Sequence, residues 1–556
     1  MVAAGYLAGS VGLQHRMVGE LATVTAGSVP ADSALFAWWL RWLPFAIEHG
    51  LNPLYSDFMH YPTGVNGMWN STMPVLAAVL APVTLTAGPV AAYNVGMLAG
   101  PVVSGLVLVW ALAPYVHSWP GRILAGGLYA FSPFVIAHEW AGHLNLVWPI
   151  LPPILLRAVH ELVVREQRRP WLAGGLLGVA FAVQTGLYTQ TVALGAIALA
   201  VTALVLVVRW PGMVRARVRQ VALAGVSCVG VWVVLCAYPL WLLLAGPGRP
   251  GASIRESGYY VTDLVNVAVP TELTAWPAGT RALAGQMRGY PGEQGAYLGV
   301  ALLVLIVAAV LLVRRPVVRV TASVAAVLLV LSFGPSLVVL GRDTGIPGPW
   351  ALLSEAPLVH HAEPVRLQVF VGMCAAMVVA LWIDQARRWP VPGRLVGLVL
   401  AAVAVVAWVP ADRMQTRPVI VPAVFTAGDS PIRDGDVVET WPRISGLWET
   451  GGIPMLWQAA SGMGYRTTGG YFIGSDSAHP VLLEAPSSTF QAVAGELATG
   501  GRVPVEQAPV AAAELAARGV TAVVVVGGPP ALLDWARAVT STNGIQYGQA
   551  WVFRVR

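Results

Sequence analysis

The chain of 556 residues is 56% hydrophobic and only 11% charged, and its mean hydropathy is +0.67. Soluble domains carry about a quarter charged residues, so the composition excludes an ordinary soluble protein and indicates a polytopic membrane protein. The net charge is +6 and every basic residue is arginine. In a membrane protein such charge first reports topology, and we expect a lipid bilayer as partner and no nucleic acid.

Apolar runs along the chain predict the membrane spans, because a spanning helix needs roughly 17–25 apolar residues. A first run, Met1 to Leu13, is shorter and indicates a truncated first helix or a misassigned start. A cleaved signal is a further reading, although no basic segment precedes the run. Ten further runs follow, at 91–114, 121–137, 144–162, 171–185, 190–208, 219–245, 296–313, 317–340, 367–384 and 394–410.

Short arginine-rich linkers alternate with polar linkers that contain little arginine. The basic linkers contain Arg122, Arg165, Arg209, Arg314 and Arg387, and the positive-inside rule places them in the cytoplasm. The alternation holds only if 73–88 does not span, so this segment is predicted to be a helix lying on the outer face. We therefore predict about 11 crossings, a cytoplasmic N-terminus and an external C-terminus.

The composition changes after Val409. Residues 411–556 are less apolar, and "VAAAELAARGVTAVVVVGGPPALLDWARAVT" predicts helix, buried strand, turn and helix. The predicted fold class is an all-α polytopic membrane domain, 1–410, with a small extracytoplasmic α/β domain, 411–556. The membrane domain carries a first external loop at 14–90 and another at 246–295.

The dense polar motifs all fall on the predicted outer side. They include "HYPTGVNGMWNSTMP", "HEWAGHLN", "QTGLYTQ", "RESGYYVTDLVNVAVPTEL" and "HHAEPVR". A transporter usually places ionisable groups near the middle of its helices, and the predicted spans are nearly free of them. The distribution favours a site at the outer membrane surface.

Several of these segments resemble the GT-C membrane glycosyltransferases, in an actinobacterial-type branch. The segments are "ADSALFAWWL", "NPLYSDFMHYPTGVN", "FSPFVIAHEWAGHLNL", "EQGAYLG", "PVRLQVF" and "MLWQAASGMGYRTTGGYFIG". The resemblance covers the layout of the whole chain. It implies a polyprenyl-phosphate sugar as donor, and an acid early in the first external loop as catalytic base or metal-site acid. By position that acid is Asp32.

Sugar transfer from a phosphate leaving group needs a carboxylate to deprotonate the acceptor hydroxyl, which suits Asp32 as general base. The lipid phosphate needs cations, and the external candidates are Arg366, Arg255, Arg41 and Arg342. Metal-dependent relatives often show a DxD near this loop, whereas Asp32 stands alone. We therefore favour a metal-independent reaction over one that uses a divalent metal, and we expect no other cofactor.

Other polar residues on the outer side are predicted to contact substrate. They are Asp57, His60, His138, Glu139, His143, Asn145, Tyr259, Tyr260, Asp263, Glu293, His360 and His361. His138, His143 and Asn145 suggest a metal pair, but the sequence offers no evident third ligand.

Structural alternatives stand beside these functional readings. Asp32 is suited to cap the helix that begins "SALFAWWLRW", and Glu363 with Arg366 to form a surface ion pair of little energy. "RTTGGYF" lacks the features of a phosphate loop and predicts a turn. Trp38, Trp39 and Trp42 are expected to anchor an interfacial helix at headgroup depth.

The sequence thus predicts an inverting glycosyltransferase acting on the outer face of the membrane. The sugar is expected to be mannose or arabinose-like, and the acceptor a glycan, a protein or a peptide natural product. A lipid-linked glycan flippase and a non-catalytic membrane scaffold are the alternatives. The scaffold alternative predicts that Asp32 tolerates substitution.

Overall fold

The computed structural model describes residues 1–256, 258–276, 279–356, 359–443 and 452–555. Most of the described chain is helical. The helices are α1 Val2–Leu13, α2 His15–Val18, α3 Pro30–Glu48, α4 Pro74–Ala87, α5 Pro89–Ala111, α6 Trp119–Ala130, α7 Pro133–Ala141, α8 Leu151–Val159, α9 Pro170–Thr185, α10 Thr189–Arg209, α11 Pro211–Leu235, α12 Ala237–Ala245, α13 Arg281–Ala284, α14 Val300–Leu312, α15 Pro316–Ser332, α16 Gln368–Ala386, α17 Val391–Val406, α18 Ile453–Ala460, α19 Thr489–Ala498, α20 Ala508–Ala517 and α21 Pro530–Thr540.

The strands are short and fall into five sheets. They are β1 Val24–Ala26, β2 Tyr55–Ser56, β3 Val65–Asn66, β4 Ser336–Val339, β5 Arg342–Pro347, β6 Thr416–Pro418, β7 Val437–Trp441, β8 Arg466–Thr467, β9 Tyr471–Gly474, β10 Leu482–Glu484, β11 Ala522–Val526, β12 Ile545–Tyr547 and β13 Ala550–Arg554.

Four helical segments of the described chain are long and apolar enough to cross a membrane: Pro89–Ala111, Thr189–Arg209, Pro211–Leu235 and Pro364–Ala386. Six shorter apolar helices accompany them. The chain is a multi-pass membrane protein, as its composition predicts, while the count of about 11 crossings stays a prediction.

Several predicted runs differ from the observed helices: 144–162 is helical only from Leu151, and 219–245 is divided between α11 and α12. The run 121–137 is divided into α6 and α7, because Pro133 pushes Ser132 into an extended conformation and the Ser132 side chain then caps α7. The run 317–340 is helical only to Ser332. Gly334 there adopts a positive φ of 84°, and the chain continues into the hairpin of β4 and β5.

The chain folds into two compact units. The first unit contains Met1–Val18, Met97–Ala237 and Arg255–Gln415. The second unit contains Gly19–Gly96, Tyr238–Ile254 and Thr416–Arg556. This division differs from a simple boundary near 410, because much of the predicted first external loop folds with the C-terminal part of the chain.

In the first unit, small residues allow close helix packing. A Cβ atom on Gly174 of α9 would lie 2.1 Å from the backbone oxygen of Ala224 in α11, and one on Gly178 would lie 2.5 Å from that of Cys228. Spacing small residues four apart lets two helix backbones approach in this way. Helix α16 is almost wholly buried and packs against α6, α15 and α17.

In the second unit, a five-stranded sheet has the order β12-β13-β11-β7-β8. Strand β11 is parallel to β7 and antiparallel to β13. Alternate residues of β11 enter separate cores, since successive side chains of a strand point to opposite faces. Val523 packs with Phe490 and Trp535, whereas Val524 packs in another cluster.

The first external segment belongs to the same unit. Strand β1 pairs antiparallel with β6, and α3 packs against α4 and α18. Trp38, Trp39 and Trp42 are at most 1% exposed. The prediction that they anchor at headgroup depth is therefore wrong: they form protein core, and the Trp38 indole N–H donates to Gln458 Oε1 at 2.6 Å.

Candidate functional site

Asp32 lies in the first turn of α3, in the second unit. The helix begins at Pro30 and its N-cap is Val29, which makes no side-chain cap hydrogen bond. The alternative that Asp32 is the cap is therefore wrong, since the helix begins two residues earlier with proline at its first position. The carboxylate is partly exposed in the first turn of the helix.

Tyr471 of β9 donates its hydroxyl hydrogen bond to Asp32 Oδ1 at 2.9 Å. Two segments that carry the family resemblance, "ADSALFAWWL" and the stretch ending "GGYFIG", therefore meet at this carboxylate. The predicted turn around "RTTGGYF" is in fact two strands, β8 and β9, joined at residues 468–470. Tyr471 is the first residue of β9, and from this position its hydroxyl reaches Asp32.

Buried hydrogen bonds fix the start of α3. The Ser33 and Tyr93 hydroxyls both donate to the backbone oxygen of Ala26, at 3.0 and 2.9 Å. The Asn94 side chain accepts from the Ala26 N–H and donates to the Val24 oxygen. Strand β1 and the first turn of α3 are consequently held together, which sets the position of Asp32.

Three other predicted residues lie in the second unit. The Arg41 guanidinium donates to the Gly462 oxygen at 3.3 Å. Asp57 accepts from Arg466 at 3.3 Å, with both side chains partly exposed. The His60 ring stacks on Phe472 with 4.8 Å between ring centroids, and burial lowers its pKa to about 4. These contacts are all within the unit's own fold.

Arg366 is the centre of a buried network in the first unit. Its Nη2 donates to Glu293 Oε1 at 2.6 Å, and its Nη1 donates to Tyr188 Oη at 2.5 Å and Gln190 Oε1 at 2.6 Å. Arg366 is only 9% exposed. The expectation of a surface ion pair between Glu363 and Arg366 is therefore wrong, because Arg366 is buried and its short ion pair is with Glu293.

Arg255 is partly exposed and lies beside this network. Its guanidinium is 3.6 Å from the Glu363 carboxylate and 5.1 Å from the centre of the Tyr260 ring. Burial raises the pKa of Glu363 to about 7 and that of Tyr260 to about 12. Among the arginines predicted to bind phosphate, Arg255 combines partial exposure with nearby aromatic and acidic groups.

The structure also brings together two histidines and an acid. His138 of α7, His143 after it and Glu293 are all buried, and one ligand atom from each lies within 4.8 Å of the others. Glu293 is thus a third candidate ligand, which the sequence did not make evident. Glu293 comes 150 positions after His143 in the chain, so spacing within "HEWAGHLN" gives no sign of it.

The remaining predicted residues have varied surroundings. Glu139 accepts from Gln14 at 2.9 Å, and Asn145 lines a small cavity with Arg366. Asp263 accepts from the backbone N–H groups of Val265, Leu340 and Gly341, which indicates a structural role. The exposed or partly exposed residues are Tyr259, Arg342, His360 and His361.

Sequence reasoning missed Tyr188, Gln190, Tyr290 and Tyr471 as individual residues. Each nevertheless lies in or beside a polar stretch that composition had marked: Tyr188 and Gln190 in "QTGLYTQ", and Tyr471 in the stretch ending "GGYFIG". Only the fold shows which side chain in each stretch turns toward Asp32 or Arg366.

An apolar cavity of about 510 Å³ lies elsewhere in the first unit, among α8, α10, α15 and α16. Its lining includes Leu155, Leu206, Val324 and Phe370. Such a lining suits hydrocarbon rather than a sugar, and no predicted site residue lines it.

The fold of the chain matches that of a solved glycosyltransferase. The chain is similar to the arabinofuranosyltransferase AftD from mycobacteria, with a TM-score of 0.57 and 16% sequence identity; the match covers 100% of this chain and 40% of AftD. The resemblance predicted from the sequence is confirmed at the level of fold.

A weaker similarity is to the oligosaccharyltransferase AglB from Archaeoglobus fulgidus, solved with an inhibitory peptide and a dolichol-phosphate. The TM-score is 0.49 and the identity 13%, over 94% of this chain and 69% of AglB. Searches of protein-family models and of curated proteins find no match. Because the match covers 40% of AftD, this chain spans less than half of AftD's length. The property that the two proteins share is the fold.

Proposed function

We propose that the chain is an inverting glycosyltransferase that moves a mannose- or arabinose-like sugar from a polyprenyl phosphate to an acceptor hydroxyl. The observation that carries the proposal is the Asp32–Tyr471 contact at the start of α3. A partly exposed carboxylate that is oriented by a phenol is suited to act as a general base. The GT-C fold supports the same class of reaction.

The proposed reaction uses Asp32 to take the proton of the acceptor hydroxyl. The acceptor oxygen forms a bond to the anomeric carbon as the bond between that carbon and the donor phosphate breaks, so the lipid phosphate leaves with the electron pair. The Tyr471 hydroxyl donates a hydrogen bond to the carboxylate and so fixes its orientation toward the acceptor hydroxyl.

Arginine is suited to the phosphate, because its planar, always-charged group matches phosphate oxygens. Arg255 is the better supported candidate, since it is partly exposed. Arg366 is buried and its nitrogens already donate to Glu293, Tyr188 and Gln190, so we assign it a positioning role. Arg41 and Arg342 remain secondary candidates.

The decisive experiment is an Asp32→Asn variant assayed in membranes with polyprenyl-phosphate sugars. Asparagine keeps the size of the side chain but removes the base, so transfer is expected to fall by about 10²–10⁴-fold. The matched control is Asp534→Asn. It alters an exposed carboxylate that pairs with Arg537, three residues further along α21. Transfer at the wild-type rate by Asp32→Asn would refute Asp32 as the base, whereas no transfer by the wild-type protein itself would favour a scaffold or a flippase.

The proposal includes an orientation, with the N-terminus cytoplasmic and the C-terminal domain outside. It is supported by the alternation of arginine-rich linkers along the chain. An alkaline phosphatase fused after the last residue should be active, because this enzyme folds only outside the cytoplasm. An inactive but stably expressed fusion would contradict the orientation.

A further inference from the structure

The cluster of His138, His143 and Glu293 is not used in the proposed transfer reaction. All three side chains are buried, with exposures of 1%, 7% and 4%. Arg366 compensates the buried charge of Glu293, but this ion pair does not account for the two imidazoles that lie beside the same carboxylate. The cluster therefore needs an explanation of its own.

The two histidines face each other through like atoms. His138 Nδ1 and His143 Nδ1 are 2.9 Å apart, so one proton or one cation must lie between two nitrogen lone pairs. Two imidazole ligands of a tetrahedral zinc, at about 2.0–2.1 Å from the metal, lie about 3.3 Å from each other. A separation greater by a few tenths of an ångström would admit the metal in place of the proton.

Neighbouring groups orient the ligands. The Tyr290 hydroxyl lies 3.1 Å from His143 Nε2, and a hydrogen bond from the Nε2–H to this oxygen leaves the Nδ1 lone pair available. Arg366 Nη2 holds Glu293 Oε1 at 2.6 Å, while Oε2 has a longer contact of 3.5 Å with Nε. Hydrogen bonds of this kind to the outer atoms of ligands are typical of metal sites.

We propose that His138, His143 and Glu293 bind a divalent transition-metal cation, with Zn²⁺ the best match. Two imidazoles and one carboxylate form a ligand set that Zn²⁺ accepts, whereas Mg²⁺ and Ca²⁺ prefer oxygen ligands. On binding, the proton between the two Nδ1 atoms moves to His138 Nε2 or to solvent. Three protein ligands leave a fourth position for an oxygen ligand.

The inference goes beyond the proposed transfer reaction and does not depend on it, because metal binding is measured without donor or acceptor. The full-length protein is purified in detergent, stripped with a chelator and titrated calorimetrically with Zn²⁺, Mn²⁺, Mg²⁺ or Ca²⁺. One Zn²⁺ per chain should bind, far more tightly than Mg²⁺ or Ca²⁺. In His143→Gln, Zn²⁺ affinity should fall at least 100-fold.

Tyr290→Phe keeps all three ligands and removes only the orienting hydroxyl, so Zn²⁺ affinity should fall by about 10–100-fold. His479→Gln is the matched control: this exposed histidine lies 3.0 Å from Asp476, and its loss should leave Zn²⁺ binding unchanged. Unchanged affinity in His143→Gln would overturn the proposal.

A second measurement uses the wild-type chain and is independent of how the variants fold. Co²⁺ added to the stripped protein should give the intense visible absorption of a tetrahedral site, which Zn²⁺ then abolishes. Absence of that spectrum would overturn the site. Asp32→Asn should bind Zn²⁺ like wild type, and loss of binding there would show that a different ligand set holds the metal.

Discussion

Asp32 and Arg366 are both predicted site residues, and the two units treat them differently. Asp32 is partly exposed at a helix start and accepts a hydrogen bond from a phenol. Arg366 is buried and donates from all three of its nitrogens to neighbouring side chains. A partly exposed charge can meet a substrate directly, whereas a buried and paired charge acts mainly by holding its neighbours in place.

The largest expected effect is a loss of transfer rate at Asp32, in contrast to a loss of stability in the Arg366 network. Asp32→Asn should lose about 10²–10⁴-fold in transfer rate at nearly wild-type thermal stability. Glu293→Gln should instead lower the free energy of unfolding by about 3–5 kcal/mol, because it leaves the buried Arg366 without its acidic partner. Thermal unfolding in detergent beside the transfer assay tests both. Equal stability losses in the two variants would erase the distinction.

The buried pair offers a sharper version of the same test. Replacing Arg366 and Glu293 together by Met and Leu removes both charges, and such double replacements often restore or increase stability. We expect the double variant to recover at least half of the stability lost in Glu293→Gln, without recovering activity. A double variant as unstable as the single one would show that the pair is not the source of the loss.

Tyr471→Phe tests the partly exposed Asp32 site through its hydrogen-bond partner, and the expected effect is smaller. The variant keeps the ring but removes one hydrogen bond to a charged group, which is worth about 1.5–3 kcal/mol. We expect the transfer rate, measured in the same assay, to fall by about 10–100-fold. Tyr547→Phe removes an exposed phenol that pairs with Asp429 and serves as control.

His60 gives the smallest predicted effect, on the acid stability of the second unit. Burial lowers its pKa to about 4 from about 6.5, so the unfolded chain binds more protons between these values. The uncharged His60 ring therefore makes its full contribution to the free energy of unfolding above pH 6.5. This contribution is lost as the pH falls toward 4. Asp476 and Arg518 are the charges that act on the ring.

His60→Asn keeps a residue that tolerates the positive φ of 54° at this position and cannot titrate. Between pH 7 and pH 5 its melting temperature should fall less than that of wild type, by about 2–4 °C. His479→Asn, at an exposed histidine, should keep the wild-type pH dependence. A variant that loses as much stability as wild type over this interval would exclude His60 as the sensitive group.

Sequence reasoning predicted the helical elements well because apolar runs and prolines are local signals. The ends of α9, α10 and α20 fall close to the predicted runs. It failed where partners are distant in sequence: composition gives no indication that α3 buries its three tryptophans against the C-terminal part of the chain. For the same reason sequence position proposes Asp32 but gives no sign of its contact with Tyr471, or of the approach of Glu293 to His138 and His143.

The pairing of β1 with β6 joins segments that the ribosome makes at very different times. The Arg417 side chain donates to the Ser28 oxygen from 389 positions away, and Trp38 meets Gln458 across 420 positions. At about 5–20 residues per second, ribosomes need roughly 20–80 s to supply those partners. During that interval the newly made tryptophan face of α3 has none of its native neighbours from the later chain. The core around these tryptophans is therefore completed only after most of the chain has been made.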